Sequence, residues 1–263
     1  MPGLIIFTDL DGTLLDHGTY RYDAARPALD ALRARNIPLV PASSKTAAEL
    51  VALRGELDIT KWPAIVENGA GVLSPEEGDA SAFDDTEYRR LRRIVDDLPD
   101  ELRRHFAGFG DWSTDEIAER TGLPPGQARL SARRQFSEPG IWNGDEKELA
   151  AFLNRLSAQG VSARQGGRFL TLSFGADKAN RMDEVVARLG AGDATIVMLG
   201  DAPNDVRMIE RADIGVIVHN PSTEALPRLA GEATSRIRRT RLTGPAGWNE
   251  AVLAILSASG MSE

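Results

Sequence analysis

The sequence has no cysteine, only three histidines, few aromatic residues (6%) and no apolar run approaching the roughly 20 residues that a membrane span needs. Without cysteine there is no disulfide, no thiolate nucleophile, no zinc ribbon and no iron–sulfur cluster. His17, His105 and His219 are scattered and not at helical ligand spacing, so a His-rich transition-metal site is not expected and a hard cation held by carboxylates is. Basic residues are the minority: 31 Lys and Arg face 39 Asp and Glu, giving a net charge of −8. Such a surface repels phosphate backbones, so nucleic acid is not an expected partner. The N-terminus shows no basic segment followed by an apolar stretch and a cleavage site, so no membrane partner and a cytoplasmic location are expected.

The 263 residues, 42% of them apolar, can build one large core or two modest ones. Leu4-Ile5-Ile6-Phe7-Thr8 is short and apolar up to Thr8, the pattern of a buried parallel strand. Ala24 to Arg35 carries a helical repeat that stops at Asn36, and Ile37-Pro38-Leu39-Val40 starts a second strand, which completes a βαβ unit. Thr46-Ala47-Ala48-Glu49 is a capping-box pattern opening a helix, and Ala64-Ile65-Val66 is a third strand. The rhythm changes near Ser74-Pro75. Helical stretches at Asp85 to Leu98 and Asp145 to Gln159, with β-like pieces at Arg129 to Phe136 and Arg168 to Ser173, then read as an α+β insert. Arg89, Arg90, Arg92 and Arg93 read as a solvated helix face. A helix from Asp177 to Leu189 and strands at Thr195 to Leu199 and Ile214 to Val218 restore the βα rhythm. The expectation is an α/β protein with a doubly wound parallel-sheet core in two segments, 1–80 and 174–263, and an inserted α+β domain at 81–173.

Asp9 and Asp11, Ser43, Asn68 and Asp201 all stand just past the apolar residues of a strand. In an open parallel sheet ligands bind outside the carboxyl ends of the strands, so these stretches converge on one rim. Asp9-Leu10-Asp11-Gly12-Thr13 either makes an ordinary turn or presents two carboxylates as a pair. Gly200-Asp201-Ala202-Pro203-Asn204-Asp205 is either a helix N-cap or a second acidic motif. Four carboxylates on one rim repel unless a cation sits among them, and Mg²⁺, which takes a few carboxylate oxygens and shares phosphate oxygens with substrate, fits. Lys178, at a helix start where a cation is not favoured, is either solvated or paired with these carboxylates. Ser43-Ser44-Lys45 at a strand-to-helix turn suits a phosphate oxygen or simply caps the helix. Together, a carboxylate nucleophile, a neighbouring carboxylic acid, Mg²⁺, a lysine and a hydroxyl are the parts that transfer a phosphoryl group to Asp and then to water.

In this order the four motifs resemble those of the haloacid dehalogenase superfamily of phosphatases, over about Leu4 to Leu73 and Phe174 to Val218, and the insert is similar to that family's Cof-type cap. The resemblance implies that Asp9 is the nucleophile and that Asp11 is the acid and base. It implies that Asp9, Asp201 and the backbone carbonyl of Asp11 hold Mg²⁺, with Asn204 and Asp205 around it, and that Ser43 and Lys178 contact the phosphoryl oxygens. Arg134-Gln135-Phe136-Ser137-Glu138-Pro139, Gly166-Gly167-Arg168-Phe169 and Gly244-Pro245-Ala246-Gly247-Trp248-Asn249 narrow the likeness to an enzyme whose small-molecule partner is a phosphorylated glycoside. Ser44, Lys45, Asn68, Arg134, Glu138, Gly167 and Arg168 are then the expected substrate contacts, the arginines for a carboxylate. His219-Asn220-Pro221-Ser222 departs from the basic residue expected near the fourth motif, in a stretch read as lying outside the catalytic set. Trp248 and Asn249 either fold over a sugar ring or pack the last helix onto the core.

Overall fold

The computed structural model describes residues 3–75, 84–166, 168–175 and 177–260; Gly167 lies outside them. In chain order the first elements are β1 (Leu4–Thr8), α1 (Arg26–Ala34), β2 (Leu39–Pro41), α2 (Ala47–Glu56), β3 (Ala64–Val66) and β4 (Gly71–Leu73). There follow α3 (Thr86–Asp96), α4 (Asp100–Arg103), β5 (Phe106–Gly108), α5 (Thr114–Thr121), α6 (Pro125–Ser131), β6 (Ser137–Trp142), α7 (Glu146–Ser157), β7 (Ser162–Gly166) and β8 (Phe169–Ser173). The last are α8 (Lys178–Arg188), β9 (Thr195–Gly200), α9 (Val206–Arg211), β10 (Ile214–His219), β11 (Ile237–Thr243) and α10 (Gly244–Ala258). Among the described residues no helix is long and apolar enough to cross a membrane. The chain forms two compact units: Met1–Ser43, Lys61–Ile65 and Lys178–Glu263 make the first, and Ser44–Thr60 and Val66–Asp177 the second.

The first unit is a doubly wound parallel sheet of order β11-β10-β9-β1-β2. Every residue of β1 is buried, as a strand covered on both faces requires, and each large aliphatic side chain so placed contributes about 1.5–3 kcal/mol. Thr8 stands opposite Leu199 on one side and Pro41 on the other. Pro41, which has no N–H to donate, is accommodated on the edge strand β2. The chain runs outward from β1 to β2, and β9, β10 and β11 then build out on the opposite side of β1, so the strand order reverses between β1 and β9. That reversal opens the crevice in which such sheets bind ligands. Trp248 is buried within α10 and its Nε1 donates to Thr8 Oγ1 at 3.0 Å, while Asn249 Oδ1 accepts the Ala28 N–H of α1 at 2.9 Å. Of the two roles left open for this pair, the structure selects packing of the last helix.

The second unit is α+β. Its antiparallel sheet has the order β5-β6-β8-β7. Leu91 and Val95 of α3 and Phe152 and Leu156 of α7 pack with Phe106 of β5 and Leu172 of β8 in one core. Two expectations change here. The stretch around Arg129, expected to be β-like, contains α6, because Pro125 at its first turn presets the helical φ and Gln127 to Leu130 are good helix formers. Arg92 is not part of a solvated face: its guanidinium bonds Glu138 Oε1 at 2.5 Å and Asp111 Oδ1 at 2.6 Å, and only 15% of its side chain is exposed.

Candidate active site

Asp9 follows the last residue of β1, Asp201 the last of β9 and Asn220 the last of β10, on three neighbouring strands. The Asp9 N–H donates to Leu199 O at 2.8 Å, which sets the first loop against the end of β9. Asp205 closes the turn after β9 and turns its carboxylate back, its Oδ2 accepting the N–H groups of Asp201 and Ala202 at 3.4 and 3.3 Å. This return lies against Gly200, where a Cβ would sit 2.6 Å from the Asp205 Cβ, so only glycine fits. Carboxylate oxygens of Asp9, Asp201 and Asp205, all buried, lie within 4.8 Å of one another.

Lys178, at the start of α8 and only 2% exposed, donates to Asp9 Oδ1 at 3.0 Å and to Asp205 Oδ1 at 2.9 Å. The sequence alternatives for this lysine thus resolve to pairing. Burial alone would lower its pKa, but Asp205 and Asp9 hold the ammonium above the ordinary lysine range. Burial, reinforced by the Asp205, Asp201 and Asp11 carboxylates, pushes Asp9 well above the usual carboxylate range against the pull of Lys178. Burial also raises Asp201, against hydrogen bonds from Asn220 and Thr13. With all three carboxylates ionised, as a bound cation favours, the one ammonium leaves the cluster two negative charges in excess, and the carboxylate donors are all oxygen. That set fits a hard divalent cation such as Mg²⁺.

The other expected residues fall as follows. Ser43 is buried beyond β2, its N–H on Ile65 O at 3.0 Å, and Asp11 is half-buried in the turn after Asp9. Asn204 is half-buried in the turn between Asp201 and Asp205. In the second unit Ser44 is exposed and Lys45 half-buried; Asn68, half-buried, takes a left-handed φ of 59°. Arg168 is exposed and donates to Arg120 O. Arg134 is buried and gives its Nη2 to Ser137 Oγ at 2.6 Å and to the Glu67 carboxylate at 3.2 Å. Glu138 is fully buried, its carboxylate taken by Arg92, by the Tyr88 hydroxyl at 2.8 Å and by the Gly110 N–H at 2.9 Å.

Two residues to which the sequence assigns no role make close contacts in the structure. Glu67, buried, collects the N–H groups of Gln135, Phe136 and Ser137, the Ser137 hydroxyl and Arg134. Like its neighbour Asn68, Glu67 is a polar residue just past a strand, the pattern that suggests a ligand or a partner. Asn220 donates to Asp201 Oδ2 at 2.8 Å, so the His219-Asn220-Pro221-Ser222 stretch touches the acidic cluster after all.

A doubly wound parallel sheet with paired acidic loops at its strand-order reversal, bridged by a buried lysine, defines an α/β protein of the class suited to phosphoryl transfer through a carboxylate. Comparison with known proteins gives the family. A haloacid dehalogenase-like hydrolase model matches residues 6–114 and 139–233. A glucosyl-3-phosphoglycerate/mannosyl-3-phosphoglycerate phosphatase of Methanococcoides burtonii is 33% identical over 267 residues, covering 96% of this chain and 97% of that protein. The chain belongs to the haloacid dehalogenase-like hydrolase family and is a phosphatase of it. Among solved structures, a haloacid dehalogenase-like hydrolase from Bacteroides thetaiotaomicron shares the fold with a TM-score of 0.67 at 20% identity, covering 96% of this chain and 99% of that one. The sucrose-phosphatase of Synechocystis sp. PCC6803, solved with sucrose and phosphate, does so with a TM-score of 0.62 at 18% identity, covering 97% and 98%.

Proposed function

We propose that this chain is a Mg²⁺-dependent phosphatase that hydrolyses mannosyl-3-phosphoglycerate to mannosylglycerate and phosphate, a cytoplasmic step in compatible-solute synthesis. The observation that carries the reading is the buried Lys178 ammonium held between Asp9 and Asp205, beside Asp201. Asp9 attacks phosphorus in line, and its new O–P bond forms as the P–O bond to the glycerate oxygen breaks. Asp11 gives its proton to that leaving oxygen and then takes one from the water that cleaves the aspartyl phosphate. Lys178 and the Ser43 hydroxyl contact the transferring oxygens, and Lys178 also offsets the charge of Asp9. Mg²⁺ would be held by the Asp9 and Asp201 carboxylates and the Asp11 backbone carbonyl, with Asn204 and Asp205 orienting its surroundings; when bound it supplies positive charge against the phosphoryl group.

Segments 1–80 and 174–263 carry this chemistry, and the 81–173 insert contributes to choosing the substrate. Arg168 and Lys45 suit the glycerate carboxylate, and Ser44, Asn68 and the Gly167 backbone suit sugar hydroxyls. Arg134 gives its Nε and Nη2 to Ser137 and Glu67, and both carboxylate oxygens of Glu138 are taken by Arg92, Tyr88 and Gly110, so we assign them to supporting this surface instead of touching the ligand. A second substrate, glucosyl-3-phosphoglycerate, is favoured by the double name of the 33% identical relative.

The test is phosphate release from both glycosyl phosphoglycerates and a panel of simple sugar phosphates, each with Mg²⁺ and with a chelator. A Mg²⁺-dependent preference for the mannosyl compound is expected. Equal rates across the panel would leave a general sugar phosphatase, and release that persists with chelator would overturn the metal assignment.

A further inference from the structure

We infer that Asn220 is a positioning residue that fixes the Asp201 carboxylate in the orientation a divalent cation requires. The inference rests on the reading of Asp201 as a Mg²⁺ ligand and extends it to a residue in the loop after β10. Asn220 is only 8% exposed and its Nδ2 donates to Asp201 Oδ2 at 2.8 Å. Its other end is fixed as well, because Oδ1 accepts the Ser222 N–H at 2.9 Å. Turning the amide over would set its carbonyl against the carboxylate and its NH₂ against an N–H, so one orientation alone satisfies both ends.

The second oxygen of Asp201 is held from the opposite side. Thr13 Oγ1 donates to Oδ1 at 2.7 Å, from the loop after β1. Each carboxylate oxygen thus accepts one donor from a flanking strand end and keeps lone-pair capacity for a cation. The first loop leaves room for this reach at Gly12. With φ of +88° and a Cβ that would stand 2.2 Å from Asn220 Nδ2 and 2.9 Å from Asp201 Oδ2, that position admits no side chain.

The chemistry of the donor matters. A lysine or arginine at position 220 would orient Asp201 while cancelling its charge, and would compete with the metal. A neutral amide orients it and leaves intact the two-charge excess of the Asp9, Asp201, Asp205 and Lys178 cluster.

The experiment is calorimetric titration of Mg²⁺ alone into the full chain and its variants. Asn220→Ser keeps an acceptor for the Ser222 N–H, as serine turns do, but its hydroxyl is too short to reach Asp201. Asn220→Ala removes both contacts. Asn249→Ala removes a hydrogen bond at the α10–α1 contact that involves none of the acidic cluster, and serves as the control for stability alone. Both Asn220 variants should bind Mg²⁺ about 10–100-fold more weakly, with the Mg²⁺ concentration needed for half-maximal activity rising in step. Their kcat at saturating Mg²⁺ should stay within several-fold of wild type, and Asn249→Ala should lower Tm without moving Mg²⁺ affinity. A folded Asn220→Ser protein that binds Mg²⁺ within about two-fold of wild type overturns the inference alone. A wild-type chain that takes up no Mg²⁺ overturns it together with the reading it rests on. Should Asn220→Ala fail to fold, Asn220→Ser, which keeps the turn, decides.

Discussion

Replacing Lys178 by methionine keeps an unbranched apolar stem and removes the ammonium that Asp9 and Asp205 share at 3.0 and 2.9 Å. Lys178 is 2% exposed, so water cannot take its place. Breaking a buried pair by removing one partner costs about 3–5 kcal/mol, because the other charge stays behind undissipated. At about 2–4 °C per kcal/mol for a chain of this size, the metal-free variant should melt roughly 6–20 °C below wild type. The loss should depend on pH in one direction. Burial and its carboxylate neighbours already push Asp9 well above the usual range. Without Lys178 the folded state therefore keeps a proton that the unfolded chain releases, and stability falls as pH rises. The Tm deficit should be larger at pH 8 than at pH 5, and saturating Mg²⁺ should recover part of it. Calorimetry of both proteins across that range checks this. A Lys178→Met protein with wild-type Tm at every pH would refute the electrostatic account of the cluster.

Three further outcomes are expected. Glu67→Gln places an amide where a carboxylate accepts five donors, so one donor is left unmet and Arg134 loses its counter-charge. The expected loss is about 3–5 kcal/mol, with faster hydrogen exchange at residues 135–137; unchanged exchange there would contradict it. Glu232 is held down to about 2 by hydrogen bonds from Arg239 and the Leu229 N–H. A depressed folded pKa stabilises above the unfolded value and is lost as pH falls through the folded one, so Glu232→Gln should flatten the fall in Tm between about pH 4.5 and 2. A slope equal to wild type would contradict the assignment. Chelation of Mg²⁺ should stop phosphate release and its return should restore it, and release that survives exhaustive chelation would count against the metal.

The core and its acidic rim were legible because the signals are local. A run such as Leu4-Ile5-Ile6-Phe7-Thr8 must be buried on both faces, so the polar residues that follow must stand at its carboxyl end. Thr46 and Glu49 form both bonds of their capping box, as their spacing predicts. What was not legible depends on partners distant in the chain. Arg92 has the helical spacing of a surface residue, and only the fold of the insert brings Glu138 to it, 46 positions away. Trp248 fits either of two roles by sequence, and its N–H bond to Thr8, 240 positions earlier, decides between them. Asn220 sits in a stretch that departs from the basic residue expected there, and its contact with Asp201 follows from β9 and β10 being neighbours. The helix around Arg129 could have been found, since Pro124-Pro125 marks a helix start.

The most direct test of the central claim is whether the phosphoryl group passes through Asp9. Wild-type protein mixed with mannosyl-3-phosphoglycerate and Mg²⁺ and quenched within one turnover should carry phosphate on the peptide that contains Asp9. Asp9→Asn should carry none and should release phosphate of order 10⁴-fold or more slowly. Undiminished release by Asp9→Asn would contradict the account.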